Sequence, residues 1–515
     1  MKIKDIYFGD VEGKDEAYEA KERNSFENIF YRGFRSYEDM LLPSKFLVIG
    51  RKGTGKTLLA EYFKNEQEKV FNLVKILDES EFALKKLEKF NYKEISEQEM
   101  IIFWEYFFLS EIANFQFEKL NKWYYLIFPC VRKLKEMIRN KPFDLKRFRT
   151  EDKDTLATSI NAVMGIQSSV GGDTESTTER LISKDFEEKE YYKEIKNYLN
   201  SVKKCSKLLK NKKMYLIFDD LDELEIFAGT NEAKITFIHS MVKTVKRMNA
   251  EFRDKKIEIK IFLLMRQDMA DDLNKKTNNF SKTVNSNSIQ LNWEYDSKIG
   301  LLKQPLTQMI IKKVKQSSKD FCNAKDTDIY YSTFPGKVSR KTFIKYLIDH
   351  SFGRPRDFVM LLNTIKEKYG EFEKIKPSHV TNSIPDYSIK FYKELENEIN
   401  RSPNKPLLVD GILLLKDNQL ITFTLEDLIS TYEKNPNRYP GITNASMIEH
   451  SMKELYRYNV LGTSSNVTNE NNEEVSVVEF YYRNNAISNP DLSNYMSVHF
   501  ALRSALNVIA KKKTS

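Results

Sequence analysis

The chain has 515 residues, 41% hydrophobic and 30% charged, which allows roughly two to four domains and speaks against wholesale disorder. Its 83 Lys and Arg against 74 Asp and Glu give a formal charge of +9, too modest to define a nucleic-acid binder unless gathered on one face. Three cysteines, widely spaced and without histidines at zinc spacing, exclude a disulfide framework and a zinc site, while Met1–Phe8 is too short and too soon acidic for a signal peptide. The expectation is a soluble cytoplasmic chain with reduced thiols.

Residues 1–44 form an opening segment of mixed charge and aromatics, expected to pack on the domain after it. The run Lys45–Ile49 then reads as a strand. It leads into Gly50-Arg51-Lys52-Gly53-Thr54-Gly55-Lys56-Thr57, and Leu58 continues a helical stretch. Strand, glycine-rich loop and helix is the context a phosphate-cradling loop requires. Glycines let successive backbone N–H groups turn toward phosphate oxygens, which side chains would block. The helix N-terminus adds a positive dipole end aimed at the same group. In this arrangement Lys56 reaches the β- and γ-phosphates of ATP, Thr57 ligates Mg²⁺, and residues 50–58 line the nucleotide.

Val70–Asp78 reads as the next strand, and long helical stretches come after it. Ile101, Trp104, Phe107, Phe108, Ile112 and Phe115 recur at three- and four-residue spacing, a stripe best explained by core packing. Glu105 and Glu111 interrupt it, so it does not read as a membrane span, and no membrane partner is expected. Trp123–Met137 continues the helical insertion, Gly165–Thr178 reads as a polar loop or small hairpin, and Phe186–Leu209 as a charged amphipathic helix. The apolar run Met214–Phe218 then ends in Asp219, Asp220, Leu221, Asp222 and Glu223, the pattern of a buried central strand delivering carboxylates to Mg²⁺. Asp219 would hold the metal with Thr57. Asp220 would polarise the attacking water, with Asp222 or Glu223 as substitutes.

A third strand, Ile257–Met265, ends in Arg266, a cation placed to meet the γ-phosphate beyond a strand's carboxyl end. A short strand at Ser288–Leu291 completes a sheet of about five strands, and a helix is expected over Lys298–Lys315. Gly353-Arg354-Pro355-Arg356-Asp357 precedes a helix at Phe358–Tyr369, and Arg354 or Arg356 could reach the nucleotide from a helical lid. Helices at Pro406–Lys416, Leu425–Glu433 and Asn444–Tyr456, a strand at Ile421–Phe423 and a hairpin of Val460–Ser464 with Val475–Arg483 spell a winged helix. Its candidate recognition helix, Asn444–Tyr456, is not strongly basic and Glu470, Glu473 and Glu474 make the wing tip acidic, which favours a protein-contacting or structural winged helix over a DNA-binding one. The five histidines show no metal spacing, and His499 is expected to pack a terminal helix.

The order of these motifs, with Tyr7–Asp10, Trp293 and Gly353–Arg356, resembles bacterial P-loop ATPases related to the KAP and STAND classes, in the additional-strand division shared with AAA+ proteins. That resemblance implies an α/β fold with a parallel central sheet in the order 5-1-4-3-2, ATP hydrolysis and nucleotide-controlled homo-oligomer assembly. It also implies a role like that of relatives in antiviral defence. In such an assembly Arg51 or Arg356 could serve a neighbouring subunit. No nuclease, protease or deaminase motif is evident, so an effector would be a separate protein. The expected domains are residues 1–44, an ATPase core at 45–300 with a helical insertion at about 80–210, a helical lid at 301–400 and a winged-helix-like domain at 401–515. The alternatives are a DNA-handling ATPase of the initiator or loader type and a nucleotide-dependent scaffold with little turnover.

Overall fold

The computed structural model describes residues 1–22, 25–77, 97–140, 195–210, 212–219, 221, 231–277, 280–296, 298–400, 402–468, 474–482 and 490–509. Two compact units emerge: residues 32–291, and residues 1–31 together with 292–515.

The first unit is built on five parallel strands: β1 (Leu47–Gly50), β2 (Leu73–Leu77), β3 (Met214–Phe218), β4 (Ile259–Arg266) and β5 (Ser288–Gln290). Their order is β2-β3-β4-β1-β5, which is the expected 5-1-4-3-2 arrangement. All of β1 and all of β3 are buried, as strands covered on both faces must be, and hence they read as unbroken apolar runs. Side chains alternate between the faces. On the face of Tyr215 and Phe262, Phe63 from the helix Lys56–Lys69 packs edge-on, with ring centroids 4.9 and 5.5 Å away. On the other face, Phe108 from the helix Glu97–Lys119 meets Phe218 at 5.0 Å.

The aromatic stripe is therefore core. Trp104 is fully buried, lies 4.6 Å from Phe237 of the helix Asn231–Asp254, and donates its indole N–H to the Phe237 carbonyl at 3.1 Å. Of the expected helix at Phe186–Leu209, residues 195–208 are helical; the polar stretch Gly165–Thr178 lies outside the described residues.

The second unit joins the start of the chain to its last two-fifths. Backbone N–H groups of Ile3 and Lys4 donate to the carbonyls of Phe372 and Gly370 at 2.7 and 2.9 Å. Lys366 and Asn363 donate to the carbonyls of Ile6 and Gly9, and Tyr7 N–H to the Ser317 hydroxyl. Glu16 and Lys313 form a buried ion pair. The expected helix at Lys298–Lys315 is instead a short 3-10 turn, Leu301–Lys303, followed by a helix from Pro305 to Lys315. The ring and missing N–H of Pro305 suit a first helical turn better than an interior, which favours a helix start at that residue. Pro355 likewise opens the helix Pro355–Tyr369.

Further along come helices Pro377–Ile399, Lys405–Asn418, Leu425–Lys434 and Ala445–Arg457. Asn444 caps the last of them, its side chain accepting from Met447 N–H at 3.0 Å. After the short pair β6 (Lys337–Val338) and β7 (Lys341–Thr342), the remaining strands are β8 (Thr422–Phe423), β9 (Leu461–Thr468), β10 (Glu474–Glu479) and β11 (Met496–Val498), in the order β10-β9-β11-β8. Strand β11 and a 3-10 turn at Phe500–Leu502 stand where a terminal helix was expected, and His499 caps that turn by accepting from Ala501 N–H.

Candidate phosphate-binding site

The buried strand β1 delivers Gly50 to its carboxyl end, and the chain then turns through residues 51–55 into the helix Lys56–Lys69. Gly53 and Gly55 have φ of 78° and 91°, a left-handed conformation that residues with a Cβ adopt at a cost. A Cβ on Gly55 would meet no atom within 4 Å, so the space in front of the helix start is open. A Cβ on Gly50, by contrast, would lie 2.5 Å from the Thr54 hydroxyl and 3.3 Å from Leu291 Cβ.

Thr54 is buried and donates its hydroxyl to the Arg51 carbonyl at 2.7 Å, which closes the loop on itself. Lys56 extends back along the loop, its Nζ donating to the carbonyls of Gly50 and Arg51 at 3.0 and 3.3 Å. Thr57 and Leu58 come next in the first helical turn, half-buried like Arg51, Lys52 and Gly53. A rigid loop, two left-handed glycines, open space and the start of a fourteen-residue helix make a seat for an anion.

The sheet brings two more of the expected residues to this edge. Arg266 pairs in register with Gly50 across β4 and β1. Phe218 pairs with Leu263, so Asp219, the next residue, sits one strand beyond β4 at the level of Val48. Two strand spacings separate β3 from β1, about 10 Å. Asp219 is buried, and its N–H donates to the Leu77 carbonyl at 3.0 Å. Its carboxylate and the Thr57 hydroxyl are hard oxygen donors of the type Mg²⁺ takes alongside phosphate oxygens. Asp220, Asp222 and Glu223 lie outside the described residues.

Arg266 has a partner that the sequence reading overlooked. Its Nε and Nη2 donate to the two carboxylate oxygens of Asp268 at 3.2 and 2.7 Å. Asp268 stands in the first turn of the helix Gln267–Lys276, where the helix dipole favours an anion. An acid two residues past a strand-end arginine is a signal that could have been read.

Arg354 and Arg356 belong to the other unit. Arg354 is buried, with bonds of 2.8 to 3.1 Å to the Asp357 carboxylate and Glu398 at 3.6 Å. Burial alone would pull its pKa down, but the two carboxylates outweigh that and the net shift is upward. Asp357 also accepts from Phe352 N–H at 2.8 Å, so the cluster fixes the turn ahead of the helix. Arg356 bonds the Val11 carbonyl and pairs with Glu12 and Glu394 at 3.2 and 3.3 Å.

The first unit is thus an α/β unit with a five-stranded parallel sheet in the order β2-β3-β4-β1-β5 and a glycine-rich loop between its first strand and the helix Lys56–Lys69. Residues 304–396, in the second unit, match the family described as the FunZ-associated C-terminal helical domain. No curated protein sequence matches the chain. Among solved structures it is similar to the Aeropyrum pernix Orc1 protein in complex with DNA, at 10% identity and a TM-score of 0.34, over 91% of this chain and 95% of that one.

Proposed function

We propose that the chain binds and hydrolyses ATP with Mg²⁺ at the loop 50–58 and acts as a nucleotide-driven switch that assembles with copies of itself and controls a separate effector, in the setting of antiphage defence. The observation that carries the ATPase reading is the common edge: phosphate loop, Asp219 and Arg266 all stand at the carboxyl ends of β1, β3 and β4. Bound Mg²⁺ would neutralise charge building up between the β- and γ-phosphates.

The chain's own residues do the rest. Backbone amides of Gly53 to Thr57 hold the phosphates. Lys56 leaves the loop carbonyls for the β- and γ-phosphates. Thr57 and Asp219 would hold the metal, and Asp220 would orient water for in-line attack. Arg266 turns from Asp268 toward the charge on the transferred group, a switch favoured by the weakness of a pair whose acid is 62% exposed. Arg354 is left out of this mechanism because the buried carboxylate of Asp357 holds it, whereas Arg356, whose partner Glu12 is 60% exposed, could serve a neighbouring subunit of the assembly.

The last hundred residues support a winged helix that contacts protein. Its elements run helix, strand, helix, helix and hairpin, and on the last helix Lys453 and Arg457 are matched one for one by Glu449 and Glu454, so these four residues carry no net positive charge to draw a phosphate backbone. The switch reading rests on the family resemblance and on the absence of an effector motif in the sequence. Phosphate release by the purified chain with Mg²⁺-ATP tests the core of it. Turnover in the wild type that disappears in Asp219→Asn is expected; equal turnover in both removes Asp219 from the site.

A further inference from the structure

Between the helices Glu97–Lys119 and Pro129–Asn140 the chain turns through a four-residue helix, Tyr124–Ile127, in a segment that carries Trp123-Tyr124-Tyr125-Leu126-Ile127-Phe128. Trp123, Leu126 and Ile127 are 69, 62 and 64% exposed. The turn is nonetheless well bonded. The Asn121 side chain accepts from Trp123 N–H at 3.1 Å, and the Asn121 and Tyr124 carbonyls accept from Tyr124 and Phe128 N–H at 2.9 Å each. Leu120, Val131 and Leu134 anchor it from below. Three large apolar side chains are therefore displayed on a fixed frame, not left over on a loose loop.

The surroundings are basic. Lys119, Lys122, Arg132 and Lys133 are exposed, and Lys135 Nζ lies 4.1 Å from the Tyr125 ring centroid. Against these five cations stand two acids, Glu118 and Glu136, a local excess of three positive charges. Aromatic residues with one polar edge favour the boundary between headgroups and acyl chains, aliphatic side chains favour the layer beneath, and lysines draw anionic headgroups.

A protein partner fits less well. Three side chains of this size can bury on the order of 300–500 Å², below the roughly 800 Å² per side of a stable protein interface. No described helix is long and apolar enough to cross a membrane, so a lipid contact here is peripheral. We propose that this turn docks on the surface of a bilayer containing anionic phospholipid, with Trp123, Leu126 and Ile127 entering the interface and the surrounding lysines and arginine meeting headgroups. Such docking does not depend on the nucleotide site.

The test uses the full chain and extruded vesicles of phosphatidylcholine, with and without phosphatidylserine. Trp104 and Trp293, the other two tryptophans, are 0 and 8% exposed, so a shift of emission to shorter wavelength reports Trp123. The expected result is sedimentation with serine-lipid vesicles, weakened by salt, together with that blue shift and quenching by brominated acyl chains. Partitioning should fall at least ~10-fold in Trp123→Ser/Leu126→Ser. The proposal is overturned if the wild type neither sediments nor shifts, or if the double variant partitions unchanged. It is equally overturned if the substitutions alter self-association of the lipid-free protein while vesicle binding is absent, since the occupant is then a second copy. The wild-type fluorescence arm decides the matter even if the variant does not fold.

Discussion

In residues 32–291 the arginine in sheet register with Gly50, where the glycine-rich loop begins, is Arg266, 17% exposed and clamped by an Asp268 that is 62% exposed. In the other unit Arg354 is clamped just as directly, but its side chain is 6% exposed and its partner Asp357 fully buried. Both arginines belong to motifs that invite a catalytic reading, and both sit at a helix start. The difference lies in what water can do. An exposed carboxylate is rehydrated when its arginine leaves, so the pair gives way easily. A buried one is left as an uncompensated charge, so the pair behaves as a structural pin. Proximity to a motif does not separate a movable cation from a fixed one; the exposure of its partner does.

Substitutions in the two units put this contrast at risk. The largest effect should come from Asp220→Ala in the first unit. Removing a water-orienting base costs about 10²- to 10⁴-fold in turnover, with ATP affinity retained, as phosphate release and nucleotide titration would show. Normal turnover in that variant would remove Asp220 from its role. In the second unit Arg354→Ala should destabilise by about 3–5 kcal/mol, read as a lowered urea midpoint, because Asp357 and Glu398 are left behind.

His350 comes next. Its ring stacks on Tyr346 at 4.2 Å, and the Nδ1–H donates to the Tyr346 carbonyl at 2.9 Å. Burial, with help from Arg503 and Lys341, lowers its pKa from 6.5 to about 4. The unfolded chain therefore binds a proton between those values that the folded chain does not, and stability falls as pH drops through this window. The loss approaches about 3 kcal/mol at its acid end. His350→Gln should flatten that dependence in urea titrations across pH; an unchanged slope would assign it to other groups. The smallest stability effect belongs to Arg266→Ala, under about 1 kcal/mol. If the contrast holds, that variant keeps its urea midpoint while losing turnover, the reverse of Arg354→Ala.

Much of the first unit could be read from the residues. Gly53 and Gly55 occupy left-handed positions, and Met214–Phe218 is apolar throughout because both of its faces are covered. The strand order was implied by resemblance, since no spacing in the chain encodes which strands become neighbours. The second unit was harder. Arg354 draws on Glu398, far along the chain, and nothing local marks that pairing. The opening residues bond to Gly370, Phe372 and Ser317 largely through their backbone, which leaves no pattern in side-chain type. Strand β11 is three residues long, Met496-Ser497-Val498, too short to stand out from a helical turn. Pro305 was a legible stop whose consequence for the helix start went unread.

Isothermal titration of the full chain with ATP in the presence of Mg²⁺, set beside Lys56→Ala, tests the central claim most directly. The account predicts saturable binding in the wild type and its loss in the variant, with the variant's urea midpoint preserved. Equal heats of binding in the two proteins, or none in the wild type, would contradict it.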